Sequence, residues 1–151
     1  MPPYVRYRLF NVAQPALHRR LLMCPLIRMK ILVVEDDLNL QRLTDALLRE
    51  AGHKTVRALD ATQVLSAARN EKPDLILLDI GMPGGTGTDI LGRLKRNSLT
   101  SAIPVIVVTG SSDPTLRTSV EQHGANGLIQ KPWLPETFVQ ELRNLAPHLA
   151  W

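Results

Sequence analysis

Five side chains suited to phosphate and metal chemistry sit at one kind of place in this sequence, the downstream end of a short apolar run. Glu35 and Asp36 close Ile31–Val34, Asp79 closes Leu75–Leu78, Thr109 closes Val105–Val108, and Lys131 follows Gly127–Ile129. If the runs are strands of one parallel sheet, these groups converge, because ligands of open parallel sheets bind outside the carboxyl ends of the strands. Three clustered carboxylates repel by about 4 kcal/mol per pair at roughly 4 Å and an effective dielectric near 20. A divalent cation relieves that repulsion, and Mg²⁺ prefers oxygen ligands while keeping several waters. Such an ion draws phosphoryl oxygens into its shell. A carboxylate in line with phosphorus can attack it, and an ammonium and a hydroxyl can then bind the phosphoryl oxygens.

The elements that must hold these groups follow from the hydrophobic pattern after Met29. Leu40, Leu43, Leu47 and Ala51 are spaced for one helix face, with Gly52 as the stop. Lys54–Ala58 reads as a weak strand, and Asp60 caps a helix carrying Ala61, Val64, Leu65 and Ala68. After the Asp79 strand, a loop with Gly81, Pro83, Gly84 and Gly85 leads to a helix with Ile90, Leu91 and Leu94. Asp113-Pro114 predicts an N-cap with proline at the first helical position, followed by a helix anchored only by Leu116 and Val120. Pro135 opens a last helix with Leu134, Phe138, Leu142 and Leu145 on one face. Near-continuous apolar strands alternating with amphipathic helices predict an α/β fold, a doubly wound parallel sheet covered on both faces.

Composition excludes several other classes. The chain has 151 residues, 44% hydrophobic and 4% aromatic, enough for one domain with a core but not for a base-stacking platform. The lone cysteine, Cys24, provides no disulfide framework. His18, His53, His123 and His148 lack metal-ligand spacing and are read as surface residues. Gly85–Ile90 approaches a dinucleotide fingerprint but follows the third strand and lacks the third glycine, so no nucleotide cofactor is expected. No apolar run nears the roughly 20 residues of a membrane helix, and a cytoplasmic location is expected. The net charge of +4 is uneven: residues 1–28 hold five arginines and no acid, leaving 13 bases against 14 acids in the remainder. Residues 1–28 are therefore read as a basic leader, disordered or belonging to a start placed too far upstream, and 29–148 as the domain.

ILVVEDD, PDLILLDIGMPGGTG, PVIVVTG and LIQKPW together resemble the four signature stretches of response regulator receiver domains, in order and spacing. The resemblance implies a flavodoxin-like sheet with strand order 2-1-3-4-5. It implies that Asp79 is the phosphoacceptor, that Asp36 is a direct Mg²⁺ ligand, and that Glu35 acts through water. It further implies that the Gly81 carbonyl completes the protein ligands, that Thr109 turns toward the phosphoryl group, that Lys131 pairs with it, and that a cis bond precedes Pro132. Met82-Pro83 and Gly87 match the loop after the acceptor strand. The implied donor is a histidine kinase or histidine phosphotransfer protein docking on the first helix. The implied output passes to another protein, without direct DNA binding and without turnover as an enzyme.

Three departures from the family pattern carry expectations of their own. Leu128 stands where many receivers have an aromatic, which puts a Thr–aromatic switch in doubt. Gly110 replaces a common alanine and should leave room above the site, while apolar Ile80 could shield an acyl phosphate. Alternatives are a phosphorylation-independent interaction module, the receiver of a longer response regulator, and a phosphatase of the haloacid-dehalogenase type. The last places its nucleophile in an Asp-x-Asp on the first strand, whereas this strand ends Glu-Asp-Asp.

Overall fold

The computed structural model describes residues 28–82 and 87–151. The leader up to residue 27, with Cys24 and His18, and the loop glycines Gly84 and Gly85 with Pro83 lie outside the described residues. Strands and helices alternate as β1 (Lys30–Val34), α1 (Leu38–Glu50), β2 (Lys54–Ala58), α2 (Ala61–Glu71), β3 (Leu75–Asp79), α3 (Gly87–Arg96), β4 (Val105–Thr109), α4 (Leu116–Gln122), β5 (Gly127–Gln130) and α5 (Pro135–Leu145). All strand pairs are parallel, in the order β2-β1-β3-β4-β5.

Side chains alternate across this sheet, as the two-residue period of a strand demands. Ile31, Val33, Leu77 and Ile106 face one side and pack with Leu48 of α1 and Phe138 and Leu142 of α5. Leu32, Val34, Leu78 and Val107 face the other side, with Val64 of α2, Leu91 of α3 and Val120 of α4. Burial of each such side chain contributes roughly 1.5–3 kcal/mol. The register Val34↔Leu78, Asp79↔Val108 and Thr109↔Gln130 brings the polar strand ends level with one another.

Caps fix where the helices start and stop. Asp37 accepts the amide protons of Asn39 and Leu40 at 2.8 and 3.1 Å, and Asp60 those of Thr62 and Gln63 at 2.9 and 3.0 Å. Gly52 ends α1 at φ +93°, a conformation that favours glycine.

Four local expectations need correction. The buried face of α1 is Gln41, Thr44, Asp45 and Leu48, and Leu43 is 41% exposed. Polar side chains can turn inward here because they have partners: Gln41 Nε2 donates to the Glu35 carbonyl at 3.3 Å, and Arg57 donates to Asp45 at 2.6 Å. Leu134 is 64% exposed, because it occupies the N-cap position of α5 ahead of the core-facing stripe. α4 starts at Leu116 with Thr115 at the N-cap; the Asp113 carboxylate instead accepts the Thr115 amide and hydroxyl at 2.8 and 2.7 Å, holding Pro114 in a turn. His53 is buried, meeting Trp151 edge-on at 5.5 Å, because the chain after α5 folds back over it. His123 and His148 are exposed as expected.

Candidate functional site

Each site residue is delivered by an element whose own chemistry ends there. β1 and β3 run apolar until an acid, and Asp37 caps α1 at once, so Glu35 and Asp36 fall in a one-step turn between strand and helix. β5 carries Lys131 on its far end, where the Lys131 amide donates to the Thr109 carbonyl at 2.7 Å and the Lys131–Pro132 peptide is cis.

The ammonium of Lys131 bridges two acids, donating to Glu35 Oε2 at 2.7 Å and Asp79 Oδ2 at 2.8 Å. The other oxygen of Asp79 accepts the Gly81 amide at 2.7 Å, and Glu35 Oε1 accepts the Asp37 amide at 3.1 Å. One oxygen from each of Glu35, Asp36 and Asp79 lies within 4.8 Å of the others. Glu35 and Asp79 are buried while Asp36 is exposed, so the cluster reaches solvent at Asp36. Burial pushes the Glu35 carboxyl above the usual carboxylate range, against hydrogen bonds from Lys131 and Asp37. Burial alone would lower Lys131, but its bonds to Asp79 and Glu35 outweigh it and hold the ammonium above its ordinary value.

Three carboxylates against one ammonium leave an excess of negative charge, and the donors are all hard oxygens. That set fits a hard divalent cation of the Mg²⁺ type, held by few protein ligands. The backbone at Gly81 reaches the cluster, since a Cβ there would stand 3.3 Å from Asp79 Oδ1.

Glu35, Asp36, Asp79 and Lys131, each read at the end of its own apolar run, thus come together with Gly81, the site residue that the family resemblance implied. Thr109 closes the adjoining strand, 2% exposed, with its Oγ1 accepting the Ser111 amide at 3.1 Å. Ser111 and Gln41 carried no signal in sequence, because their contacts are with backbone groups that only the fold brings near. Trp133 stacks on Phe138 with ring centroids 4.1 Å apart. A Cβ built at Gly110 meets nothing within 4 Å, in line with the open space expected there. Ile80 packs against the core beside the first residue of α3. Leu40, Leu43, Pro132 and Trp133 line an open apolar groove of about 400 Å³ that Lys131 borders.

Residues 31–143 match the response regulator receiver domain family. The DNA-binding response regulator MtrA of Mycolicibacterium paratuberculosis is 35% identical over 117 residues, 78% of this chain and 51% of that protein. The phosphate regulon transcriptional regulatory protein PhoB of Escherichia coli is 34% identical over 114 residues, 76% of this chain and 50% of that protein. The chain therefore spans about half the length of the curated relatives it matches. Among solved structures, the chemotaxis response regulator CheY4 of Vibrio cholerae superposes with a TM-score of 0.73 at 26% identity, covering 78% of this chain and 98% of that one.

Proposed function

The chain belongs to the response regulator receiver domain family, and from that premise we propose that it signals by accepting a phosphoryl group on Asp79 in a Mg²⁺-dependent step. The observation that carries this reading is the Lys131 bridge, 2.7 Å to Glu35 and 2.8 Å to Asp79, beside the three-carboxylate cluster. A carboxylate oxygen of Asp79 attacks the phosphorus of a phosphohistidine, forming an O–P bond as the P–N bond breaks. The imidazole leaves with the electron pair of that bond. Lys131 exchanges its carboxylate partners for phosphoryl oxygens, and the Thr109 hydroxyl donates to another of them. Mg²⁺ held by Asp36, Asp79 and the Gly81 carbonyl, with Glu35 acting through water, would neutralise charge on the transferring phosphoryl group.

The donor in this reading is a histidine kinase or histidine phosphotransfer protein, docked over the apolar groove beside Leu43 and Trp133. The receiver takes one phosphoryl group and passes a conformational change onward, so it is a signalling domain and not a turnover enzyme. Residues 29–151 carry 13 bases against 14 acids, a near-neutral balance that supports output through a protein partner over DNA contact by this body. No helix among the described residues is long and apolar enough to cross a membrane, and a kinase-coupled role would suit a cytoplasmic location.

The test is intact-mass spectrometry after incubation with Mg²⁺ and acetyl phosphate. One phosphoryl adduct is expected, dependent on Mg²⁺ and absent from Asp79→Asn. A folded wild-type protein that gains no adduct from acetyl phosphate or from a phosphorylated histidine donor would sink the reading.

A further inference from the structure

α4 is the least anchored helix of the sheet. It has seven residues, no side-chain cap at its N-terminus, and Val120 as its buried residue. A cavity of about 170 Å³ separates it and the preceding loop from β5, between Ser111–Pro114, Arg117 and Leu128. Val120 sits in the core and Leu116 packs against it, so apolar anchors are few and polar ties add to the positioning of the helix.

Two such ties exist, and both lead to the phosphorylation site. Arg117 reaches across the cavity and donates from Nη2 to the backbone carbonyl of Leu128 at 3.1 Å, with Glu121 one turn further on at 3.8 Å from its Nη1. β5 is an edge strand, so this carbonyl has no neighbouring strand to pair with. Three residues beyond Leu128 is Lys131, which grips Asp79 and Glu35. The second tie is the loop before α4, whose Ser111 amide hangs from Thr109 Oγ1. Phosphorylation draws on both anchors: Lys131 turns to the phosphoryl oxygens, and the Thr109 hydroxyl does the same.

We propose that Arg117 is the positioning residue that couples the phosphorylation site to α4 in this chain, latching the unphosphorylated helix to the Leu128 carbonyl. The latch occupies the side of β5 at which Leu128 supplies no large ring to fill the gap. Once Lys131 and Thr109 move, the end of β5 and the Ser111 loop shift together. The Arg117 bond is then lost and α4 is freed to take up a second position. This rests on the phosphorylation of Asp79 proposed above.

Hydrogen exchange read by mass spectrometry over residues 115–125 tests it, on full-length protein with and without Mg²⁺ and acetyl phosphate, the adduct being weighed in parallel. Wild-type exchange in this segment should quicken on phosphorylation. Arg117→Met, which keeps the stem and removes the donor, should already exchange about tenfold faster before phosphorylation. It should gain little more afterwards, with β1 and β3 protected as in wild type. Arg117→Lys should fall between the two. Exchange in Arg117→Met within about twofold of wild type overturns the latch. So does a full phosphorylation-dependent increment retained on top of a faster baseline, which marks a merely structural tie. Absence of any adduct on wild type removes the phosphorylation reading and, with it, the coupling role. The baseline comparison still reads the Arg117 bond by itself in that case.

Discussion

Lys131 holds together two carboxylates that would otherwise face each other half out of water, so its removal has two separable consequences. Lys131→Met should slow phosphorylation by acetyl phosphate about 10²-fold, the usual loss when one preorganised donor to a reacting phosphoryl or oxyanion is taken away. It should also reduce stability at neutral pH by about 1–3 kcal/mol, because the buried acids lose their charged partner. Mg²⁺ should restore more stability to the variant than to wild type, since the ion then supplies the only countercharge. Denaturant melts with and without Mg²⁺, beside adduct time courses, check both effects; equal responses of the two proteins to Mg²⁺ would contradict the charge argument. His53 presents the opposite case, a buried ring with neither nitrogen hydrogen-bonded among the described residues. Burial, and then the charge of Arg143, push its pKa down. A lowered value means stability that is present above the ordinary histidine range, about 6.5, and lost as pH falls through the folded value. His53→Leu should stay within about 1 kcal/mol of wild type at pH 7.5 and lose less stability by pH 5.5. Melts at the two pH values measure this, and a parallel loss in both proteins would exclude His53 as its source.

Among the elements, β2 depends most on polar contacts, as its half-exposed side chains suggest. Asp45 of α1 accepts bonds from Thr55 and Arg57 of β2 and pairs with Arg49 on its own helix at 3.2 Å. Burial alone would raise its carboxyl, but the Thr55 and Arg57 hydrogen bonds and the two arginine charges hold it below the usual range. The stability it contributes is therefore present above the ordinary aspartate value, about 4, and drains away as pH falls below that. Asp45→Asn should destabilise at pH 7 by about 1–2 kcal/mol and flatten stability between pH 5 and 3, read from urea midpoints. α3 makes a steric demand instead. A Cβ at Gly87 would lie 2.1 Å from the Ile80 backbone, immediately after β3. Gly87→Ala must push α3 away from β3, at a cost of roughly 3 kcal/mol or more. A thermal midpoint unchanged by this substitution would refute the close approach.

At the scale of the whole molecule, the sheet does two jobs with one pattern. Alternating side chains seal two apolar layers, and the polar residue that ends each strand is carried to a common edge. That much follows from sequence alone, because a two-residue period and short apolar runs between helices leave a parallel sheet as the way to bury both faces. The positions of Glu35, Asp36, Asp79, Thr109 and Lys131 follow with it, each lying just past the last apolar residue of its run. Other features could not be read this way. Hydrophobicity marked Leu40, Leu43 and Leu47 as the inner face of α1, yet Gln41, Thr44 and Asp45 are buried because β2 and the Glu35 carbonyl supply partners distant in sequence. His53 looked like a surface residue until the segment after α5 returned Trp151 onto it, and Arg117 was one basic side chain among many until β5 offered it an edge carbonyl. Sequence by itself determined what is local: the alternation of strands and helices, the Asp60 cap and the residue types at strand ends. Only the tertiary structure decided which polar groups find partners, since a hydrogen bond or ion pair depends on a few ångströms between residues that the chain separates by dozens of positions.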